Sequence, residues 1–142
     1  MTLEELQNLA DKDLKINDTE LDLESLKTPQ LHNKYSKYYN KYKNLLKVAE
    51  QDLARITREK WEYYTGKADP AVYQEKPFNL KVLRQDVDKY IKSYPEVNKL
   101  EQKVTYIETT VDYLEKTLKI ISNRTFTIKN AIDWRKFTSG VI

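Results

Sequence analysis

Three observations predict an all-α fold. The chain of 142 residues holds only two glycines and four prolines against 33% charged residues, so turns are few and polar surface is abundant. Between Pro29 and Gly66 a stripe of Leu31, Tyr35, Tyr38, Tyr42, Leu45, Ala49, Ile56 and Tyr63 recurs at spacings of three, four or seven, the period of one helix face. From Val97 the residues Leu100, Val104, Ile107, Val111, Leu114, Leu118 and Ile121 follow at alternating steps of three and four, a heptad sustained over four repeats. The architecture expected is a long antiparallel helical hairpin with short flanking helices, since a helix over 29–66 needs another long helix, or other subunits, to cover it.

The elements follow in order within a single domain. Thr2 and Glu5 form a capping box that opens a short helix with Leu3, Leu6, Leu9 and Ala10 inward. The rest of 1–28 reads as an acidic arm, either a connector that docks Leu21, Leu23 and Leu26 or a competitor for the basic helix. Pro29 suits the first turn of the long basic helix and Gly66 the position past its end. Residues 67–78, with Pro70 and Pro77, read as a loop. Asn79 is a plausible cap for a helix carrying Leu80, Leu83, Val87, Tyr90 and Ile91, which stops before Pro95. Ser93 and Glu96 frame a second capping box ahead of the heptad helix, so 79–124 holds two helices. Tyr106, Tyr113 and Ile120 add a second stripe beside the heptad seam, fitting either an extra neighbour or one monomer's core. Phe126, Ile128, Ile132, Trp134 and Phe137 give residues 125–142 the look of an oligomerisation helix, with a monomer core as the alternative.

Composition excludes more function than it assigns. There is no cysteine and one histidine, His32, so disulfides, thiolate sites and histidine metal clusters are out, and no metal or cofactor is expected. With glycine only at 66 and 140 there is no phosphate-cradling loop, which predicts neither ATP hydrolysis nor other catalysis. No apolar run approaches the ~18 residues of a membrane span. The expected setting is therefore intracellular, in the cytoplasm.

Charge is segregated along the chain. Residues 1–26 carry eight acids and two bases, and residues 27–66 carry nine bases and four acids. Lys34, Lys37, Lys41 and Arg55 cluster on one flank of the apolar stripe, with Lys47 and Arg58 next to them. Lys60 falls in the middle of that stripe, where an unpaired buried ammonium would be costly. Cations with aromatics between them, Tyr63 and Tyr64 among the latter, are what single-stranded nucleic acid requires: phosphates neutralised along a groove and ring faces for bases. The competing reading is a non-enzymatic helical adaptor with a solvated lysine face, which leaves Lys60 unexplained.

The segment Arg58-Glu59-Lys60-Trp61-Glu62-Tyr63-Tyr64-Thr65-Gly66 resembles the UvsY family of phage recombination mediator proteins, as do Leu3-Glu4-Glu5-Leu6-Gln7 and the ending Ile128, Lys129, Ile132, Asp133, Arg135 and Phe137. The resemblance covers nearly the whole chain. It implies a single-stranded-DNA-binding accessory protein that loads a RecA-like recombinase onto DNA covered by single-strand-binding protein, works as a ring-like homo-oligomer, a heptamer, and acts in the host cytoplasm if phage-encoded. It places the DNA-contacting pair at Arg58 and Lys60 and the assembly helix at Phe126–Phe137. The chain departs from the family in the lysine and tyrosine density of Lys34–Lys43, and in the exchanged order of its Arg58 and Lys60 pair.

Overall fold

The structure, a computed structural model, describes residues 1–78 and 81–140. Its elements are α1 (Leu3–Asp13), α2 (Leu21–Tyr64), α3 (Pro70–Glu75), a 3-10 turn (Arg84–Asp86), α4 (Val87–Lys92) and α5 (Pro95–Thr138). Among the described residues there is no strand. The chain divides into two compact units, one of residues 1–43 with 109–142 and the other of Asn44–Glu108. Both long helices contribute a stretch to each unit.

In the first unit α2 and α5 run antiparallel: Glu24 and Thr28 meet Arg124, and Tyr35 lies near Tyr113. Thr2 and Glu5 make both bonds of the expected capping box, and Leu6 and Ala10 are fully buried. Tyr35 and Tyr42 are buried too. The Tyr35 hydroxyl donates to Asp13 at 2.8 Å, and the Tyr42 hydroxyl donates to the Met1 carbonyl at 2.8 Å. These two tyrosines therefore fasten α1 to the basic helix. Burial, then the hydrogen bond to Asp13, pushes the Tyr35 hydroxyl well above its ordinary pKa. Tyr35→Phe is expected to lower stability by about 1 kcal/mol, because Lys34, at 2.7 Å, still neutralises Asp13. Urea unfolding checks this, and an unchanged midpoint would mean that α1 is held by packing alone.

The arm expected before Pro29 is a correction: α2 already starts at Leu21. Leu21 and Glu24 are buried on its inner side while Leu26 is 72% exposed, so the three leucines do not dock together. Pro29 sits inside the helix, where it removes a bond to the Ser25 carbonyl. Ser25 and Pro29 are both exposed, so solvent is at hand for that carbonyl and the helix continues. Leu45, expected on the inner stripe, is 43% exposed, since a real helix drifts from the straight line that spacing draws over so many turns.

α5 is one continuous helix to Thr138, not a heptad helix followed by a separate C-terminal one. Residues 122–127 contain neither proline nor glycine to end it. Val97, Val104, Ile107, Val111, Leu114 and Ile121 are buried as the heptad requires. The second buried stripe is polar, formed by Thr110, Thr117 and Arg124 seven residues apart, whereas Tyr106 and Ile120 are about half exposed. Ser93 does not cap α5. Pro95 is the first helical residue, and the Ser93 hydroxyl instead donates back to the Tyr90 carbonyl at the end of α4.

In the second unit Val87, Ile91 and Val97 form the core, with Leu53, Ile56, Tyr64, Val82 and Tyr94 packed against it. Two further expectations are revised. The supposed loop 67–78 contains α3, because Asp69 accepts from the Ala71 N–H at 3.0 Å and Pro70 occupies the first helical position. The helix expected from Leu80 begins later, since Val82 turns inward while Leu83 is extended and 63% exposed. An alternation of period two is strand-like and cannot be helical. Asn79 and Leu80 lie outside the described residues.

Candidate nucleic-acid interface

The C-terminal end of α2 is organised by its stop. Gly66 adopts φ +77°, and the Lys67 N–H donates to the Glu62 carbonyl at 2.8 Å, closing the helix end as the sequence predicts. The turn lets α3 fold back, and the Tyr73 hydroxyl donates to the Tyr63 carbonyl at 2.7 Å. The Tyr73 ring stacks on Tyr63 with centroids 5.4 Å apart, and Phe78 leans on both Tyr63 and Tyr64 at 5.3 Å. Burial, then the neighbouring Tyr94, raises the Tyr64 hydroxyl above its ordinary pKa. Tyr63 and Tyr64 are therefore half-buried members of an aromatic cluster, and one face of Tyr63 is already occupied.

Lys60 is half-buried at the edge of this cluster. Its ammonium lies 3.8 Å from the Tyr94 ring centroid and 5.7 Å from that of Tyr63. The ring faces explain how a cation is tolerated in the apolar stripe without a carboxylate partner among the described residues. Tyr94, the residue that makes this possible, gave no signal in the sequence because it is distant in the chain. Arg58 points into solvent, 80% exposed along its side chain, and its Nε donates to Glu62 at 3.2 Å. Arg55 likewise pairs with Asp52 at 3.1 Å. Surface pairs of this kind contribute about 0–1 kcal/mol, so a phosphate can displace either carboxylate.

The second unit thus brings Arg55, Arg58, Lys60, Tyr63 and Tyr64 onto one stretch of α2. Lys34, Lys37 and Lys41 belong to the first unit. There Lys34 is held by Asp13, Lys37 is exposed, and exposed Lys41 rests 5.9 Å from the Tyr42 ring. Tyr35 and Tyr42, buried under α1, offer no face to a base. Of the C-terminal residues, Phe126, Trp134 and Phe137 are 64–65% exposed, with Trp134 and Phe137 stacked at 5.7 Å. Ile132 is half-buried. Ile128 is 2% exposed and is corrected to a core position of its own chain.

Two clefts flank the Tyr63–Tyr64 pair. One, of about 500 Å³, is bordered by Lys60, Lys76 and Tyr94 but also by Glu59, Glu62 and Asp69. The other, of about 450 Å³, is bordered by Trp61, Lys67, Lys81 and Arg84 with no acid among its described lining residues. Lys67, Lys81 and Arg84 escaped the sequence reading because they are scattered through what looked like a loop and a helix start. No described helix is long and apolar enough to cross a membrane.

The family described as "Recombination, repair and ssDNA binding protein UvsY" matches residues 9–141 of the chain. The "Recombination protein uvsY" of Enterobacteria phage T4 is 26% identical over 144 residues, covering 99% of each protein. A crystal structure of the bacteriophage T4 recombination mediator protein UvsY matches with a TM-score of 0.87 at 24% identity and covers 98% of both chains. A second lattice form of the same protein gives 0.85 at 24% identity, covering 96% of this chain and 99% of that one. The structural likeness establishes a shared helical fold.

Proposed function

The chain belongs to the UvsY family of recombination, repair and single-stranded-DNA-binding proteins, and from that premise we propose that it is a non-enzymatic recombination mediator. It binds single-stranded DNA through Arg58 and Lys60, assembles as a ring-like homo-oligomer (a heptamer), and helps a RecA-like recombinase replace single-strand-binding protein on the strand in the cytoplasm. The observation that carries the reading is Lys60, half-buried between aromatic rings with no carboxylate partner among the described residues. A solvated adaptor face gives no reason to keep a cation there. Arg58 and Lys60 are two residues apart and so project roughly 160° from one another on a helix. One strand reaches both at an exposed helix end, or along a path that passes several subunits. Each subunit supplies a weak site, and the ring makes them strong together. Lys34, Lys37 and Lys41 extend the phosphate path with smaller individual effects.

The test is the lag before a RecA-like recombinase hydrolyses ATP on DNA pre-coated with single-strand-binding protein. Adding the protein should shorten the lag. Arg58→Ala/Lys60→Ala should leave it unshortened, weaken DNA binding at every sequence, and reduce the salt slope, because phosphate contacts carry no base information. A wild-type protein without effect on the lag, or a double variant that binds and acts normally, would remove this reading.

A further inference from the structure

We propose that the acid-free cleft beside Trp61 is a nucleotide subsite, in which one base of the bound strand lies against the Trp61 indole while Lys67, Lys81 and Arg84 hold its flanking phosphates. This rests on the reading of the protein as a single-stranded-DNA binder, and it moves part of the contact off α2 onto the segment that follows it. Four observations support it. The cleft encloses about 450 Å³, within the ~300–1,000 Å³ of ordinary small-molecule sites. Three cations border it, all exposed, and none pairs with an acid among the described residues. Arg55, Arg58 and Lys34, by contrast, are each paired with a carboxylate. Finally, Trp61 is 39% exposed and the Lys67 ammonium rests 4.6 Å from its ring centroid.

That last contact defines an exchange. In the free protein Lys67 covers the indole. When a strand arrives the base takes the indole face and Lys67 swings onto a phosphate, so each group trades a weak partner for a stronger one. The neighbouring walls are the rings of Tyr64 and Phe78, which fix the width of the slot. The described lining carries no carboxylate or amide that would read a base edge. With ring faces and phosphate cations as its main contacts, the subsite is expected to depend weakly on sequence. The cleft on the other side of Tyr63 is a poorer anion site, because three carboxylates face its two lysines.

The experiment is fluorescence anisotropy with labelled oligothymidylate and with an abasic sugar–phosphate oligomer of equal length, at several salt concentrations. Wild-type protein should prefer the oligomer that carries bases. Trp61→Leu should cut that preference on the order of tenfold while leaving abasic binding nearly unchanged. Lys67→Gln/Lys81→Gln/Arg84→Gln should weaken both oligomers and lower the salt slope by about 2, at roughly 0.7 per phosphate contact on a single strand. All four positions lie at the surface, so circular dichroism should show intact folds. An unaltered base preference in Trp61→Leu, together with an unaltered slope in the triple variant, would overturn the subsite. If Arg58→Ala/Lys60→Ala still loses binding in that case, the mediator reading survives without it. Wild-type protein that binds neither oligomer would sink the mediator reading itself.

Discussion

If the protein assembles as proposed, replacing Phe126, Trp134 and Phe137 together with serine is expected to split the proposed homo-oligomer into smaller species and to weaken single-stranded DNA binding about a hundredfold or more. Avidity from linked sites contributes on the order of 10²–10⁴ in affinity, and it disappears when the sites are separated. The side chains are chosen by exposure: all three rings are about two-thirds accessible, and Trp134 and Phe137 stack on one another. Together they leave roughly 400 Å² of aromatic surface in water, within the ~300–600 Å² of the largest patches on monomeric proteins, which are often functional. Cutting the chain after Arg124 is a poorer experiment, because it also deletes Ile128, which is buried in the first unit. Light scattering coupled to size exclusion reads the mass, and circular dichroism reads the helicity, which should persist. A triple variant in the wild-type mass class would place the interface elsewhere.

Arg124→Ala is expected to lower the unfolding free energy by about 3 kcal/mol. The Arg124 guanidinium is 3% exposed; it forms an ion pair with Glu24, donates to the Glu24 carbonyl at 3.0 Å, and donates through Nε to Thr28 at 3.2 Å. These contacts tie the start of α2 to α5 across 100 residues of sequence, and removal of the guanidinium leaves the buried Glu24 carboxylate with Lys27, 3.0 Å away, as its remaining cation. The pair is incompletely satisfied, since Nη1 of Arg124 has no partner among the described residues. An apolar replacement of both members, Arg124→Met with Glu24→Leu, should therefore recover most or all of the loss. Urea unfolding of the two variants decides the matter. Equal destabilisation of both would mean that shape, rather than charge, governs this position.

The same pair has a pH signature. Lys27 first, and Arg124 after it, hold the Glu24 carboxyl below its ordinary value of 4.5, against the opposing effect of burial. A carboxyl depressed in the folded state stabilises the protein above pH 4.5, and that stabilisation is lost as the pH falls through the folded-state value. Acid unfolding of Arg124→Ala should accordingly begin at a higher pH than that of the wild type.

Much of this protein follows from local pattern alone. The helical class, the capping box at Thr2 and Glu5, the stop at Gly66 and the heptad core from Val97 to Ile121 depend on backbone chemistry and spacing within a few turns, and such information is written contiguously in the chain. Lys60 stood out for the same reason, as a cation at a position where periodicity calls for an apolar residue, whereas Arg58 was marked by the resemblance. The tertiary structure decided what each cation meets. Lys60 is made tolerable by Tyr94, Lys34 is claimed by Asp13, and Arg124 is drawn into the core by Glu24. It also decided that Tyr35 and Tyr42 belong under α1 while Trp61 lines a cleft bordered by three cations that pair with no acid among the described residues. Partners distant in sequence set desolvation and charge compensation, and helical period carries no record of which distant residue will fold onto a given face. The same physics explains the misplaced start of α2. Propensity put the boundary at Pro29, but the contacts of Leu21 and Glu24 with the rest of their unit outweigh one missing backbone hydrogen bond.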